Sequence, residues 1–322
     1  MPSPKVIVFG PTGQIASIAA LTAHHSGATV CLGMRDPSKP IPNLDQHQLQ
    51  RIQADLTKPP TLTAAVTSTS STHAFLYLVH TTPDFMRASL EALKSAGITF
   101  VVFLSSYSIA GHGTHPNLLE SHPLSFAHAQ VERNLKEVFG EGGHVAVRAG
   151  YLASNSLLWK SGGEDVDCDL RVPLPKARFD FVSPGDVGAV CGRILARGPG
   201  FVEGVGVNSG GDGVKGEVVE VVGPEMLSHL EAAELVAKVV GNGMRAVEAE
   251  AQDTVDRLVG AGRPEAVARY MVRLLEMRER REDGMYLEPG LSLAVENLER
   301  VLGRPGTRFE DWVVENKGLF VS

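Results

Sequence analysis

KVIVFGPTGQIA, at residues 5–16, is the stretch that decides the fold of this chain. Its apolar and β-branched residues 6–9 predict a strand that is buried on both faces. The strand ends at Gly10, and a helical stretch begins after a short turn. A strand, a glycine-containing turn and a helix in this order are typical of the first unit of a parallel α/β sheet.

The turn itself has the residues that a dinucleotide-binding turn needs. Gly10 and Gly13 allow a tight turn and a close approach of the backbone to a diphosphate, and Ala16 fills the third small position, where the helix packs closely on the strand. The helix N-terminus adds unpaired N–H groups and the positive end of the helix dipole. We therefore predict a diphosphate site at this turn; the alternative is an ordinary tight turn.

Strand-like and helix-like segments alternate as far as about residue 150. The strands are predicted at residues 28–34, 49–52, 74–80, 99–104 and 144–148, and the helices at residues 14–25, 61–66, 83–96 and 125–139. This alternation predicts an α/β fold with a Rossmann-type doubly wound parallel sheet.

The length of 322 residues favours two folding units. We expect residues 1–160 to form an NAD(P)-binding Rossmann domain, to which residues 179–200 return. Residues 161–178 and 201–322 are expected to form a smaller, mainly helical lobe that binds the substrate or acts as a lid.

The second half of the chain contains recognisable helix starts. A short strand is predicted at residues 179–182, followed by a helix that Asp186 caps. Another helix begins at Ser228, with Glu231 three residues later as the second member of a capping box. Residues 264–279 carry apolar side chains at helical spacing and predict an amphipathic helix.

Composition and charge exclude several classes of function. A net charge of −7 disfavours nucleic acid or an anionic membrane as a partner. No apolar run is long enough to span a bilayer, and a strand that begins at residue 5 leaves no room for a signal peptide. The cysteines Cys31, Cys168 and Cys191 have no metal or redox spacing and suit a reducing compartment. We expect a soluble cytoplasmic protein.

The residues after the second predicted strand bear on the choice of cofactor. In dinucleotide-binding folds a carboxylate near this point takes the ribose 2′-hydroxyl of NAD, whereas a cation takes the 2′-phosphate of NADP. Arg35 comes first here and Lys39 follows. Since a guanidinium binds phosphate in bidentate fashion, the pattern favours NADP(H). Asp36 leaves NAD open, and a solvated charged turn is the alternative to both.

Ser105, Ser106 and Tyr107 follow the strand at residues 99–104, at the carboxyl edge of the sheet, where ligands bind in open α/β sheets. Tyr107 is therefore a candidate proton donor, with a packing role as the alternative. The nearby histidines, whose spacing matches no zinc pattern, predict no metal site. They are His112, His115 and His122.

Motifs along nearly the whole chain resemble the NmrA-like family of atypical short-chain dehydrogenases/reductases, and within it the fungal branch of festuclavine and agroclavine dehydrogenases. The motifs are Gly10-Pro11-Thr12-Gly13, Arg35, Asp55-Leu56, Ser105-Ser106-Tyr107, Arg148-Ala149-Gly150-Tyr151, Ser183-Pro184-Gly185-Asp186-Val187, Gly223-Pro224-Glu225, Leu302-Gly303-Arg304-Pro305 and Phe309-Glu310-Asp311-Trp312.

This resemblance implies roles for individual positions. The cofactor-binding residues would be Gly10, Thr12, Gly13, Gln14 and Ile15 at the diphosphate, Arg35 and Lys39 at the 2′-phosphate, Asp55 and Leu56 at the adenine, and Val79, His80, Ser105, Gly150, Tyr151 and Leu152 toward the nicotinamide. The substrate contacts would be Ser106, Tyr107, Tyr151, Asn155, Tyr270 and Met271.

The chain departs from this pattern at the catalytic pair. Short-chain reductases place a Tyr four residues before a Lys on one helix face, so that the ammonium lowers the pKa of the phenol. The corresponding residues here are Leu124 and His128. His128 is a candidate for bonding the nicotinamide ribose or donating a proton; the alternative is a helix-surface histidine with no role.

The resemblance implies an NADP(H)-dependent oxidoreductase of secondary metabolism. Hydride would pass to an iminium, enone or carbonyl carbon of an apolar natural-product intermediate. An iminium suits the site best, because it already carries its charge and needs no strong protein acid. Redox-neutral cyclisation or rearrangement with bound cofactor is a variant of this prediction. The alternative is a non-catalytic NADP(H)-binding redox sensor, and the oligomeric state is left open.

Overall fold

The computed structural model describes residues 3–112, 122–160, 169–204, 217–260 and 262–321. The chain divides into two compact units. Unit 1 comprises Met1–Ala149, Pro184–Val221 and Glu288–Pro305, and unit 2 comprises Gly150–Ser183, Val222–Leu287 and Gly306–Ser322. The assignment of a nucleotide to one part of the chain and a substrate to the other stays a prediction.

A parallel sheet of seven strands forms the centre of unit 1, in the order β3-β2-β1-β4-β5-β6-β9. Its strands are β1 (Lys5–Phe9), β2 (Thr29–Met34), β3 (Gln50–Gln53), β4 (His73–Tyr77), β5 (Phe100–Ser106), β6 (His144–Ala149) and β9 (Val218–Val221). The chain adds strands on one side of β1 and then returns to add β4 on the other side. This confirms the predicted α/β fold with a Rossmann-type doubly wound sheet.

The helices of unit 1 are α1 (Gln14–His25), α2 (Pro42–Asp45), α3 (Pro59–Thr69), α4 (Arg87–Ala96), α5 (Pro123–Phe139), α6 (Pro184–Arg197), α7 (Pro199–Gly204) and α11 (Gly290–Leu302). The bounds of α1 agree with the prediction. The start of α4 was predicted too early, since Phe85 and Met86 have φ angles of 50° and 65°, outside the helical region. Asn134 stabilises this irregular turn by donating to the carbonyl oxygens of Asp84 and Phe85, both at 3.0 Å.

Asp186 is not at the N-cap position, contrary to the prediction. It lies inside the first turn of α6 and is buried. Its carboxylate accepts a hydrogen bond from Arg304 Nη2 at 2.5 Å. The sequence pattern at Asp186 therefore reflects an ion pair to a residue more than a hundred positions away, which local spacing does not reveal.

Unit 2 is built from short strands and helices. They are β7 (Leu170–Pro173), β8 (Arg178–Phe179), β10 (Leu227–Ser228), β11 (Ala246–Ala249), α8 (His229–Val240), α9 (Ala251–Gly260), α10 (Glu265–Arg280), α12 (Phe309–Asn316) and α13 (Gly318–Val321). The strand predicted at residues 179–182 ends early, because Phe181 has a φ angle of 44°. The capping box of Ser228 and Glu231 is present as predicted.

An aromatic cluster surrounds a buried histidine in unit 2. The His229 ring lies 5.0 Å from the Phe179 ring and 5.2 Å from the Trp159 ring. Its Nδ1 lies 2.8 Å from the carbonyl oxygen of Pro173, and its Nε2 has no hydrogen-bond partner among the described residues. Burial lowers the pKa of His229 to about 4. The imidazole is therefore neutral in the folded protein at neutral pH.

His229 predicts a pH dependence of stability. Its folded-state pKa lies below the ordinary value of 6.5, so the unfolded chain binds more protons between about 6.5 and about 4. The stabilisation is complete above this window and is lost as the pH falls through it, by about 2 kcal/mol at about pH 5 for this one residue. Urea unfolding of His229→Gln should show a shallower decline from about pH 7 to about pH 5 than the wild type. Parallel declines would contradict a neutral His229.

Candidate functional site

The turn after β1 is closed by a hydrogen bond between two of its own residues, and its outer side is exposed to solvent. Gly10 has a φ angle of 65°, and the N–H of Gly13 donates to the Gly10 carbonyl oxygen at 2.9 Å. A Cβ on Gly10 would lie only 2.5 Å from the ring of Tyr77. Gly10 is thus required by its backbone conformation and by a neighbouring side chain, whether or not a ligand is present.

The N-terminus of α1 has no cap. Gly13 occupies the N-cap position, and no side chain in the described part of the chain accepts a capping hydrogen bond from the first turn. Thr12, Gly13 and Gln14 are exposed, whereas the Ile15 side chain is buried, so that Ile15 offers a ligand only its backbone. The first turn contains no acidic residue. Free N–H groups at the positive end of a helix dipole form a ready anion site.

The charged residues after β2 differ in their engagement. Asp36 accepts hydrogen bonds from the hydroxyl and the N–H of Ser38 at 2.6 and 2.9 Å, which lower the pKa of its carboxyl. Within the described residues the exposed Arg35 side chain makes no hydrogen bond or ion pair, and Lys39 is also exposed. The Arg35 guanidinium is therefore available to an anionic ligand. The Asp36 carboxylate, in contrast, is already bonded to Ser38 within its own turn.

Asp55 and Leu56 follow β3 and are held in place by their neighbours. Hydrogen bonds from the N–H and the hydroxyl of Thr57, at 2.9 and 2.8 Å, lower the pKa of Asp55, with a smaller effect from the charge of Arg35. The Leu56 side chain is buried, and its carbonyl oxygen accepts from the Ser89 hydroxyl at 2.7 Å.

The sequence analysis missed an ionic network near the carboxyl edge of the sheet, in which Glu220 is buried and Arg148 and Glu132 are half-buried. Arg148 on β6 donates to both oxygens of Glu132 on α5, at 3.1 and 2.7 Å, and to Glu220 on β9 at 3.2 Å. Burial alone would lower the pKa of Arg148, but the two carboxylates raise it; burial raises the pKa of Glu220. The signal in the sequence was Glu220, which interrupts an apolar run at residues 218–222.

Ser105 belongs to this network. Its buried hydroxyl donates to Glu132 Oε1 at 2.5 Å. The hydroxyl of Ser106 instead lies 2.8 Å from that of Ser108, which accepts from Ser125 at 2.9 Å. The cofactor role predicted for Ser105 stays a prediction, and it would require a ligand to share or replace the bond to Glu132.

Tyr107 begins a short 3₁₀ helix (Tyr107–His112) after β5 and is buried. A Cβ on Gly290, at the start of α11, would lie 3.9 Å from the Tyr107 hydroxyl oxygen. His115 lies outside the described residues. Within them, no group of three or more His, Cys, Asp or Glu residues is arranged to hold a metal ion, and no helix has the length and apolar character to cross a bilayer.

His128 lies on α5 with its ring against the sheet. The ring centroid is 5.9 Å from that of Phe103, and Nδ1 is buried without a hydrogen-bond partner among the described residues. Burial, assisted by His80, lowers the pKa of His128 to about 3. The neutral His128 imidazole does not supply the positive charge that Lys gives a short-chain reductase. Leu124, at the position of the Tyr, packs against the apolar core.

Gly150, Tyr151 and Leu152 are the first residues of unit 2, and the first two lie against a buried carboxyl. Asp180 accepts hydrogen bonds from the Tyr151 and Gly223 N–H groups, both at 2.8 Å, and from the Tyr286 hydroxyl at 2.5 Å. A Cβ on Gly150 would lie 2.2 Å from Asp180 Oδ2. Burial raises the pKa of Asp180 despite these donors. The Tyr151 and Gly223 N–H groups are thus held by one buried side chain, which also leaves no room for a Cβ on Gly150.

The remaining predicted site residues belong to both units and are described here one by one. Val79 is half-buried against the core of unit 1 and accepts from the Thr82 hydroxyl through its carbonyl oxygen at 2.9 Å, while His80 is exposed. Asn155 in unit 2 is half-buried. Tyr270 and Met271 lie half-buried on α10.

A comparison with known proteins identifies the family. The model of the NmrA-like family matches residues 2–312. The chain belongs to the NmrA-like family. The nitrogen metabolite regulation-like protein bik4 of Gibberella fujikuroi is 33% identical to this NmrA-like chain over 330 residues, which covers 97% of each protein.

Solved structures of low sequence identity share the fold of this NmrA-like chain. One is triphenylmethane reductase of Citrobacter sp. complexed with NADP(H), with a TM-score of 0.70, 13% identity, and coverage of 97% of this chain and 100% of that one. Another is the NADPH-dependent quinone oxidoreductase QOR2 of Escherichia coli, with a TM-score of 0.68, 18% identity, and coverage of 97% and 99%.

The ionic network of Glu132, Arg148 and Glu220 predicts that substitutions of its members have non-additive effects on the free energy of unfolding. Arg148→Met leaves Glu132 and Glu220 buried without their cation, so we expect the free energy of unfolding to fall by about 3–5 kcal/mol in urea denaturation. Adding Glu132→Gln should restore part of this loss, because only one buried carboxylate then remains. A double variant as unstable as the sum of the two single changes would contradict the coupling.

Proposed function

We propose that unit 1 binds NADP(H), with the diphosphate at the N-terminus of α1 and the 2′-phosphate at Arg35 and Lys39. The observation that carries this proposal is the exposed, uncapped first turn of α1, followed along the sheet edge by an arginine whose side chain makes no hydrogen bond or ion pair with the described residues. Asp36, the competing group for NAD, is already bonded to Ser38.

The residues present fit this cofactor. Gly13 adds no side chain to the turn, and a Cβ there would meet only the Gly10 carbonyl oxygen, at 3.4 Å. A diphosphate can therefore approach the N–H groups of the first turn closely. Asp55 and Leu56 would border the adenine, and Val79 and His80 the nicotinamide half. When bound, NADPH supplies a hydride to an electron-poor carbon.

We further propose an oxidoreductase whose acceptor is an apolar, conjugated compound with an iminium, enone or carbonyl carbon. The neutral state of His128 and the replacement of the Tyr–Lys pair support an acceptor that needs no strong protein acid, of which an iminium is the best example. Reductases of a dye and of a quinone share the fold. The substrate contacts predicted at Ser106, Tyr107, Tyr151, Asn155, Tyr270 and Met271, and the placement in the festuclavine dehydrogenase branch, belong to this proposal.

Redox-neutral cyclisation with bound cofactor is a variant of the same proposal. The protein would orient the reacting groups and exclude water, which requires no ionisable acid near the substrate.

A redox sensor is the second candidate function. It is favoured by the missing catalytic pair and by the name of the relative from Gibberella fujikuroi, a nitrogen metabolite regulation-like protein. A sensor would bind NADP and NADPH with different affinities. It would not oxidise NADPH when an imine, an enone or a quinone is offered as the acceptor. Turnover of NADPH with any of these acceptors would favour the enzyme.

Arg35→Ala tests the cofactor assignment. A lost charge-assisted bond to phosphate is worth about 1.5–3 kcal/mol, so NADPH should bind roughly tenfold to a hundredfold more weakly, while NADH affinity changes little. Calorimetric titration measures both. Arg300→Ala is the matched control, since it removes an exposed arginine of the same unit whose Nη2 pairs with Glu296 on its own helix. Equal losses for NADPH and NADH would contradict the assignment.

His128→Ala tests the proposed role of the imidazole. If His128 bonds the ribose or the substrate, turnover of NADPH with a cyclic imine or a quinone should fall by about tenfold, the size of one hydrogen bond to a neutral partner. Because burial keeps His128 neutral, the wild-type rate should show no ionisation of this residue between about pH 5 and about pH 8. An unchanged rate in the variant would show that His128 has no catalytic role.

A further inference from the structure

Tyr77, the last residue of β4, lies over the turn that follows β1. Its Cε1, Cζ and hydroxyl oxygen are 2.5, 3.0 and 3.0 Å from the position that a Cβ on Gly10 would occupy. The residue is 36% exposed, so the ring packs on Gly10 with one side while its other side meets solvent. A tyrosine at this strand end was not among the predicted site residues.

The alternation of side chains along β4 places Tyr77 on the same face of the sheet as α1. Ala74 and Leu76 belong to the apolar core on the opposite face. His73 points the same way as Tyr77, and its Nδ1 lies 2.8 Å from the carbonyl oxygen of Leu195 on α6. Helix α6 in turn packs on α1, since a Cβ on Gly192 would lie 2.5 Å from the carbonyl oxygen of Ala19. The phenol therefore faces the side on which the uncapped N-terminus of α1 lies.

Two charged residues of the same sheet edge act on the phenol. Burial raises the pKa of Tyr77, the charge of Arg35 opposes this shift, and that of Asp55 adds to it. The hydroxyl thus stays protonated at neutral pH and is available as a donor. The Tyr77 hydroxyl makes no hydrogen bond to the described residues. Arg35 and Asp55 follow β2 and β3, which lie in the same sheet on the far side of β1.

We propose that the Tyr77 hydroxyl donates a hydrogen bond to a phosphate oxygen of the nucleotide that binds at the N-terminus of α1. The inference rests on the proposed function, and it adds to the glycine turn and Arg35 a neutral donor from β4. Two phosphates of NADP(H) have the required chemistry, the diphosphate beside α1 and the 2′-phosphate beside Arg35.

Tyr77→Phe tests the proposal with little risk to the fold, since the ring that packs on Gly10 remains. Calorimetric titration of wild type and variant with NADPH, NADH and 2′,5′-ADP should show NADPH affinity falling by about tenfold, the effect of one hydrogen bond to a charged group. A loss confined to NADPH and 2′,5′-ADP places the bond on the 2′-phosphate. A similar loss for NADH places it on the diphosphate.

The thermal midpoint of the variant, which we expect to stay close to that of the wild type, separates a binding effect from unfolding. Affinities equal to those of the wild type for all the probes, or a gain for NADPH, would overturn the role of Tyr77 and leave the proposed function intact. A wild-type protein that binds none of the probes would overturn both.

Discussion

Pairing of β1 along both of its edges is the constraint on which the rest of the structure depends. With β2 on one side and β4 on the other, Val6, Ile7 and Val8 are fully buried, and the chain can leave the strand only at the edge of the sheet. The order of strands reverses at this point, so the helices that follow β1 and β4 diverge. The N-terminus of α1 is thereby left at the carboxyl edge of the sheet, where open α/β folds bind their ligands.

Local sequence patterns predicted the elements that local physics determines. The strand and helix around Gly10 follow from apolar runs and a glycine turn, and the capping box at Ser228 follows from its spacing to Glu231. The start of α4 was wrong because it depends on Asn134, about fifty residues away. The N-cap prediction for Asp186 was wrong for the same kind of reason, since its partner Arg304 lies after the end of α11.

The candidate site shows the same difference between features that local sequence determines and features that depend on distant residues. The glycine turn after β1 and the arginine after β2 each lie in a short stretch of sequence, so both could be predicted as candidate phosphate contacts. The network of Glu132, Arg148 and Glu220 and the packing of Tyr77 on Gly10 join residues from separate strands and helices, so no spacing in the sequence reveals them. The roles of His128 and of the substrate contacts remain predictions, because they concern a ligand rather than the fold.

The electrostatic character of unit 1 connects these features. The Arg148 guanidinium is paired with two carboxylates, and the His128 imidazole is neutral. Arg35 and the N-terminal end of the α1 dipole, in contrast, offer positive charge at the surface. Such an arrangement attracts phosphate. These features fit the NADP(H) site that we propose for this NmrA-like protein.

The most direct test of this account is a phosphorus NMR titration of NADP with the purified protein. The account predicts that the diphosphate and 2′-phosphate resonances both shift or broaden as protein is added, and that the 2′-phosphate response is lost in Arg35→Ala. Resonances that stay unchanged at equimolar, millimolar protein and nucleotide would contradict a phosphate site at the end of β1.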